Sequence, residues 1–342
     1  MSGPGPGRSG RIPPPPRRAT AWLVLALLAA APVAVLSVFR AVPGAWPRLV
    51  VQLLSFTPWL AVPAAAGVAF ASLSRRAWLF ATTTALLALQ LFWIFAPGLA
   101  RSAPGAATRR VELKVMNINA LHGEADAAAI VRLVRDNGIG LLAVEEHTPA
   151  LEERLDAAGL AGLLPHRVSR PAARASGTAV FSVHPLELTG MVPDSQFVMP
   201  TVRLRPVLGD GSATVEVTVV HAKPPVDAGV TRWRQDLAAL GKVAARPGNV
   251  VLIGDFNATY DHAEFRQLLA GDGGRPLADV GVAAGSRLIP TWPMDGLPLP
   301  GITIDHIVTS TEIQGSAYAV HQVPGTDHAA VVATLSIPAD AG

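Results

Sequence analysis

The sequence predicts an α/β domain of mixed β-sheet with helices outside, preceded by three transmembrane helices. Three observations carry that reading. Uncharged apolar stretches fill the chain up to Ala100, short apolar runs alternate with amphipathic segments after Val111, and charge divides sharply between these regions. Of 342 residues, 50% are hydrophobic and 15% charged, too apolar for an ordinary soluble enzyme. Residues 1–110 hold eleven Arg and no Lys, Asp or Glu, a net +11; the remainder holds 17 basic and 25 acidic side chains, a net −8. The overall +3 describes neither part and excludes a basic protein that coats nucleic acid. There is no cysteine, so disulfides, thiol catalysis and zinc–thiolate sites are excluded as well.

Residues 1–19, rich in Gly, Pro, Ser and Arg, cannot bury a core and are expected to be disordered. Residues 20–39, 49–73 and 77–100 are uncharged. Each meets the need for about 20 apolar residues to cross a hydrocarbon layer roughly 30 Å thick. Pro32, Pro58 and Pro63 are tolerable in spans that neighbouring helices support. A cleaved signal peptide has a shorter apolar core and would not be followed by two more spans. The spans carry no ionisable residue to mark a pathway, which argues against a transporter or channel. Arg8, Arg11, Arg17 and Arg18 precede the first span, and Arg75 and Arg76 lie on the same side. Arg40, Arg48, Arg101, Arg109 and Arg110 lie on the other. The dense N-terminal cluster places that terminus in the cytoplasm, so three crossings export the rest of a multi-pass cell-membrane protein. The organisation expected is a tail at 1–19, a membrane region at 20–100, a linker at 101–110 and a folded domain at 111–338.

Within that domain, residues 111–118 alternate as a strand. Residues 125–137 have helical spacing at Ile130, Leu133 and Val134, closed by Asn137-Gly138. A short apolar run at 141–144 reads as a buried strand, and 149–158 as a helix. Strands are expected at 176–183, 198–205 and 213–220, a helix at 231–245, a buried strand at 249–253 and a helix at 263–269. Strands at 302–309, 316–322 and 329–337 close the chain. Several strands follow one another with no helix between them, so the sheets must be mixed.

Polar residues stand where these strands end. Asn119 follows 115–118; Glu145, Glu146 and His147 follow 141–144; His221 follows 215–220; Asp255 and Asn257 follow 250–254. Asp305 and His306 sit within 302–308, and Thr326, Asp327 and His328 open the last strand. Strand ends converge on one rim, a common place for active sites. Oxygen donors with a few imidazoles and no sulfur suit Mg²⁺ or Mn²⁺ and a phosphate substrate.

With these motifs the chain resembles the endonuclease/exonuclease/phosphatase superfamily, whose fold is the DNase I-like four-layer sandwich. The stations run in family order: "MNINALHG" with Asn119, "LLAVEEHTP" with Glu146, "SGTAVFS", "VVHAKPP" with His221, "GDFNAT" with Asp255 and Asn257, "TWP" with Trp292, "IDHI" with Asp305 and "TDH" with Asp327 and His328. Glu145 departs from the Gln often found there, and Thr303 stands where many members have Arg.

The resemblance implies a phosphodiester hydrolase. In it, Glu146 assisted by Asn119 would ligate Mg²⁺ (or Mn²⁺), with Asp327 near the same metal. His328, oriented by Asp305, would contact the phosphate or serve as base, and Asp255 would align the attacking water. Which of Asp255 and His328 takes the proton stays open. Asn257 and His221 would bond the phosphate oxygens, and Trp292 would face the substrate.

Strand alternation would point Glu145 away from Glu146, so only one is a ligand, and Glu146 occupies the family position. Asp261, His262 and Glu264 read as a helix start with an exposed face. His147, His166, His184 and His321 are assigned no role. The partners implied are a lipid bilayer and a phosphodiester substrate, nucleic acid or phospholipid; no protein partner is implied. The alternative is a non-enzymatic binding or sensor domain on the same fold, but such domains usually lose a metal ligand or the His–Asp pair, and here every station is filled.

Overall fold

A computed structural model describes residues 17–99, 109–208, 211–271, 274–296 and 300–340. Apart from 17–19 and 109–110, the tail expected at 1–19 and the linker expected at 101–110 lie outside the described residues. The apolar stretches are helical: α1 (Arg17–Ala41), α2 (Arg48–Leu54), a 3-10 turn (Thr57–Leu60), α3 (Ala61–Ser74) and α4 (Ala77–Leu99). Helices at Arg18–Ala41, Thr57–Ser74 and Ala77–Gly98 are long and apolar enough to cross a membrane. They pack on one another: Trp22 stacks on Phe70, and the Gln90 amide donates to Ser37 Oγ at 2.8 Å, the kind of polar contact that holds apolar helices together.

The unbroken span expected over 49–73 is corrected. Pro58 has no amide hydrogen and opens a new helical segment, so α2 stops at Leu54 and the spanning helix starts at Thr57. Freed from the span, α2 turns its Val51 into an apolar cluster of the α/β domain with Trp233, Leu237 and Phe265.

That domain runs β1 (Arg110–Asn119), α5 (Ala127–Asn137), β2 (Leu141–Glu145), α6 (Pro149–Ala157), α7 (Leu160–Leu163), β3 (His166–Arg170), β4 (Thr178–Ser182), β5 (Leu186–Met191) and β6 (Pro200–Leu204). A small hairpin, β7 (Val207–Leu208) and β8 (Gly211–Ser212), follows, then β9 (Val215–His221), α8 (Val230–Ala244), β10 (Asn249–Asp255) and α9 (Ala263–Ala270). The chain closes with β11 (Leu277–Asp279), α10 (Val280–Ala283), β12 (Asp305–Ser310), β13 (Gln314–Gln322) and β14 (Ala329–Pro338).

Two six-stranded sheets have orders β13-β14-β1-β2-β4-β3 and β11-β12-β10-β9-β6-β5. Each has a parallel pair at its middle, β1–β2 and β9–β10, flanked by antiparallel strands. The inner faces meet through Val111, Leu113, Val115 and Leu141 against Val217, Val219, Val251 and Ile253. The alternate residues Met116, Ile118 and Leu142 pack under α5 and α6, while Val220, Val250 and Leu252 pack under α8 and α9. Helix, sheet, sheet, helix is the four-layer architecture expected.

The strand expected at 302–309 begins at Asp305, because Ile302 instead forms a single bridge with Trp292. Strands β3 and β5 had no signal in sequence. Both are sheet edges with half-exposed, largely polar residues, which edge strands commonly carry.

Candidate active site at the end of the two sheets

The side-chain period of two carries the inner-face rows of both sheets to one end, where they turn from apolar to polar. In the first sheet, Val115 leads to Asn117 and Asn119, and Ala143 to Glu145; Asn119 and Glu145 are register partners. In the second, His221, Asp255 and Asp305 are register partners across β9, β10 and β12. Asn119, Glu145, His221, Asp255 and Asp305 are all buried. His306, one residue on, points to the other face, where Asp279 holds its Nδ1 at 2.7 Å and the Ala258 carbonyl its Nε2 at 2.8 Å.

Backbone turns finish the arrangement. Alternation alone would send Glu146 outward, but it lies beyond β2 with φ +54°, and this left-handed residue brings its carboxylate back into the cleft. Asn257 likewise has φ +47°. Gly254 must be glycine: its φ is +147°, and a Cβ there would lie 2.0 Å from the Val220 carbonyl oxygen.

A continuous polar chain results. Asn119 Nδ2 donates to Glu146 Oε1 at 3.4 Å and to Asp255 Oδ2 at 3.2 Å, bridging the two sheets. His221 Nε2 lies 3.7 Å from Glu146 Oε1. Asp255 accepts the Asn257 backbone amide at 2.7 Å and its side-chain amide at 2.9 Å. His328 holds Asp305 through Nδ1 at 2.9 Å and turns Nε2 toward Asp255 Oδ2, 4.0 Å away. Asp255, Asp305 and His328 offer ligand atoms all within 4.8 Å of one another. Thr326 fixes the far strand by donating to the Asn119 carbonyl at 2.8 Å.

Burial and neighbouring charge set the protonation of this cluster. Burial opposes a charge on His328, but the Asp305 carboxylate, reinforced by Asp255 and Asp327, outweighs it and raises the imidazole to about 10. His221 goes the other way: burial, then the positive charge of His328, depress it to about 3, leaving a neutral hydrogen-bonding ring. Burial raises Asp255, with Asp305 adding to it and His328 working against it. Burial, with Asp305 and Asp255 nearby, pushes Glu145 well above the usual carboxylate range.

Of the residues singled out in sequence, Asn119, Glu146, His221, Asp255, Asn257, Asp305 and His328 come together directly. Asp327 and Trp292 form a pair of their own, with the indole Nε1 donating to Asp327 Oδ2 at 2.8 Å. Asp327 makes no hydrogen bond to Glu146 or Asn119 among the described residues, and its buried Oδ1 has no partner there. Three further contributors complete the site, of which sequence reasoning had only His122, as part of a loop near it. Phe197 stacks on His221 with ring centroids 4.3 Å apart, His122 donates its backbone amide to Glu146 Oε2 at 2.6 Å, and Thr291 Oγ1 accepts the amides of Ile304 and Asp305. Thr291 had a signal as the first residue of "TWP" and His122 as part of "MNINALHG", while Phe197 had none.

The reading of Asp261 and His262 as exposed is corrected, since both are buried. Asp261 binds Arg40 of α1 and Arg287, each at 2.7 Å, and His262 Nε2 meets the Val51 carbonyl of α2 at 2.9 Å. Local pattern could not show that another segment covers them.

The model of the Endonuclease/Exonuclease/phosphatase family matches residues 116–328. No curated protein matches the chain in sequence. Among solved structures, a functionally unknown conserved protein from Enterococcus faecalis is 14% identical, with 66% of this chain and 100% of that chain covered and a TM-score of 0.51. An endonuclease/exonuclease/phosphatase from Beutenbergia cavernae is 20% identical, covering 67% and 72%, with a TM-score of 0.48. Sphingomyelinase C from Streptomyces griseocarneus is 18% identical, covering 66% and 99%, with a TM-score of 0.46. The family match spans every polar station of the cleft from Asn119 to His328, and the chain belongs to the Endonuclease/Exonuclease/phosphatase family.

Proposed function

We propose that this protein is a membrane-anchored, divalent-metal-dependent phosphodiester hydrolase whose catalytic domain lies outside the cytoplasm. The observation that carries the reading is the convergence of Glu146, Asp255, Asp305 and His328 at one sheet end, joined through Asn119.

The donor set fits a hard cation: carboxylate and amide oxygens, no sulfur, and a buried Asp327 oxygen without a partner. Glu146 with Asn119, and Asp327 beside them, would hold Mg²⁺ or Mn²⁺, which supplies Lewis acidity toward the phosphoryl and leaving oxygens. The remaining groups act on the water and the phosphate. Asp255, fixed by Asn119 and Asn257, aligns the attacking water, and the cationic His328 stands opposite to stabilise the phosphate charge. Asp305 keeps the His328 ring oriented, so that Nε2 faces the cleft. Neutral His221 and the Asn257 amide hydrogen-bond the phosphate oxygens without adding charge. Trp292 orients Asp327 through its indole and lies half-buried at the rim, where it can touch substrate.

The full chain in detergent should hydrolyse a member of a panel of phosphodiesters (single- and double-stranded DNA, RNA, phospholipids, bis-p-nitrophenyl phosphate) with Mg²⁺ or Mn²⁺ present. Inactivity across the panel would point to the binding or sensor role instead. A reporter active only outside the cytoplasm, fused after Gly342, should give signal. The same reporter at Arg76, truncating the chain there, should be silent; the reverse pattern overturns the orientation.

A further inference from the structure

The domain-side ends of all three candidate spans are stitched to the α/β domain beside the cleft. Arg40 at the end of α1 binds Asp261, the Trp59 indole donates to the Gly301 carbonyl at 3.1 Å, and Arg287 donates to the Trp93 carbonyl of α4 at 2.6 Å. Between these stitches lies a cavity of about 310 Å³. That is the lower end of the range of small-molecule sites, about 300 to 1,000 Å³.

One wall is the first turns of the spanning segment, Pro58, Trp59 and Val62; the opposite wall is Val282, Leu288 and Ile302 of the domain. Most polar groups on its surface are already paired, the Tyr260 hydroxyl being the exception among the described residues. Asp261 lies between two arginines, His306 is held by Asp279 and the Ala258 carbonyl, and Thr303 Oγ1 donates to backbone carbonyls of Arg287 and Ile289. The site therefore offers mainly apolar surface with little spare hydrogen-bonding demand, which suits hydrocarbon better than a polar metabolite. Its rim is apolar and solvent-facing: Trp59, Val62, Leu288 and Ile289 are all exposed. Because Thr57–Ser74 has the length and composition of a membrane span, that rim stands at the level where a bilayer begins.

The back wall connects to the chemistry. The segment from Gly301 to Asp305 lines the cavity at Gly301, Ile302 and Thr303 and ends in the residue that orients His328. Three residues of chain span about 10 Å at most. Ile302 also bridges to Trp292, which holds Asp327. An apolar chain in the cavity and a phosphodiester in the cleft thus sit on two sides of one short segment of chain.

We propose that this seam cavity binds a hydrocarbon chain of a bilayer lipid and that this lipid's phosphodiester is the substrate. The inference rests on the membrane-anchored phosphodiesterase reading and names the substrate class for the same site. It gives the N-terminal helices a part in recognition beyond tethering.

The test uses the full chain in lipid nanodiscs containing a phospholipid with a photoreactive diazirine near its chain end. Val62→Trp and Leu288→Trp place large rings at exposed mouth positions, where the fold should tolerate them; unchanged melting confirms that it does. Wild type should give adducts in residues 55–62 and 279–303, reduced at least fivefold in both variants, while adducts on exposed Phe92 and Phe95 persist. In parallel, hydrolysis of the long-chain phospholipid should fall about tenfold or more in the variants, with hydrolysis of bis-p-nitrophenyl phosphate unchanged. Absence of adducts at the seam overturns the proposal. Seam adducts with undiminished phospholipid hydrolysis in the filled variants also overturn it, because the chain would then belong to a lipid that is not the substrate. If no diester is hydrolysed by wild type, the hydrolase reading fails and the substrate assignment with it, while the adduct map still reports whether the cavity holds a chain.

Discussion

The loop from Asp255 to His262 runs between two buried charge clusters built on opposite terms. At its start, Asp255 faces the cleft in the company of Asp305, Glu146 and Asp327, with His328 the main counter-charge; Asp327 keeps a buried oxygen with no hydrogen-bond partner among the described residues. At its end, Asp261 faces the helices and is clamped by Arg40 and Arg287, each at 2.7 Å, while His262 is bonded at both ring nitrogens. Both clusters are equally cut off from water. In the first, excess negative charge and open lone pairs are maintained at a cost to stability, as expected where a cation and a phosphate are to be handled. In the second, each charge is answered by a neighbour, so the cluster holds helices to domain and is ready for nothing further.

This difference can be broken by substitution. The largest effect is expected in the cleft. Glu146→Gln and His328→Ala should each lower kcat by about 10²-fold or more, as loss of a metal ligand or of a charge-stabilising group does. Thermal melting of the detergent-solubilised chain should hardly move in Glu146→Gln, where an amide of the same shape replaces the carboxyl. His328→Ala removes the main counter-charge from buried Asp305 and Asp255 and should lower it. A large drop in melting temperature with activity preserved would mean that the cleft is structural after all.

The seam should respond the other way. Asp261→Ala strands two buried guanidinium groups and is expected to cost about 3–5 kcal/mol of stability, read as an early unfolding transition, with turnover per folded molecule retained. Arg40→Met should cost less, about 1–3 kcal/mol, because Arg287 still holds Asp261. If Arg40→Met left melting unchanged, α1 would be a loose tether and not a docked part of the domain.

The smallest effect sharpens the contrast between adjacent residues. Glu145→Gln replaces a buried carboxyl, whose charged form burial disfavours, with a neutral amide of the same shape, so activity and melting should both stay within about twofold and 1 kcal/mol of wild type. Loss of activity in Glu145→Gln with Glu146→Gln still active would shift the ligand assignment by one residue.

The cleft was legible in sequence to an unusual degree because its residues sit at the ends of buried strands, where a run such as Val250 to Ile253 announces both the strand and where it stops. Alternation put Glu145 and Glu146 on opposite faces, whereas both carboxyls reach the cleft, because Glu146 is a left-handed residue that a sequence pattern does not display. The edge strands β3 and β5 escaped because a half-exposed strand lacks the apolar run that marks a central one. The seam was the least legible part. Asp261 and His262 look like surface before a helix, and α2 looks like membrane; only their meeting across some two hundred residues of chain makes both buried.

The central claim is that the cleft carboxylates, Glu146 first among them, are there to hold a cation for phosphodiester hydrolysis. Its most direct test is to titrate Mn²⁺ into the metal-stripped full chain while following bis-p-nitrophenyl phosphate hydrolysis, in wild type and Glu146→Gln. The account predicts activity that rises and saturates with Mn²⁺ in wild type, is abolished by excess EDTA, and is absent or strongly weakened in Glu146→Gln. Full hydrolysis in excess EDTA, or the same Mn²⁺ titration in both proteins, would contradict it.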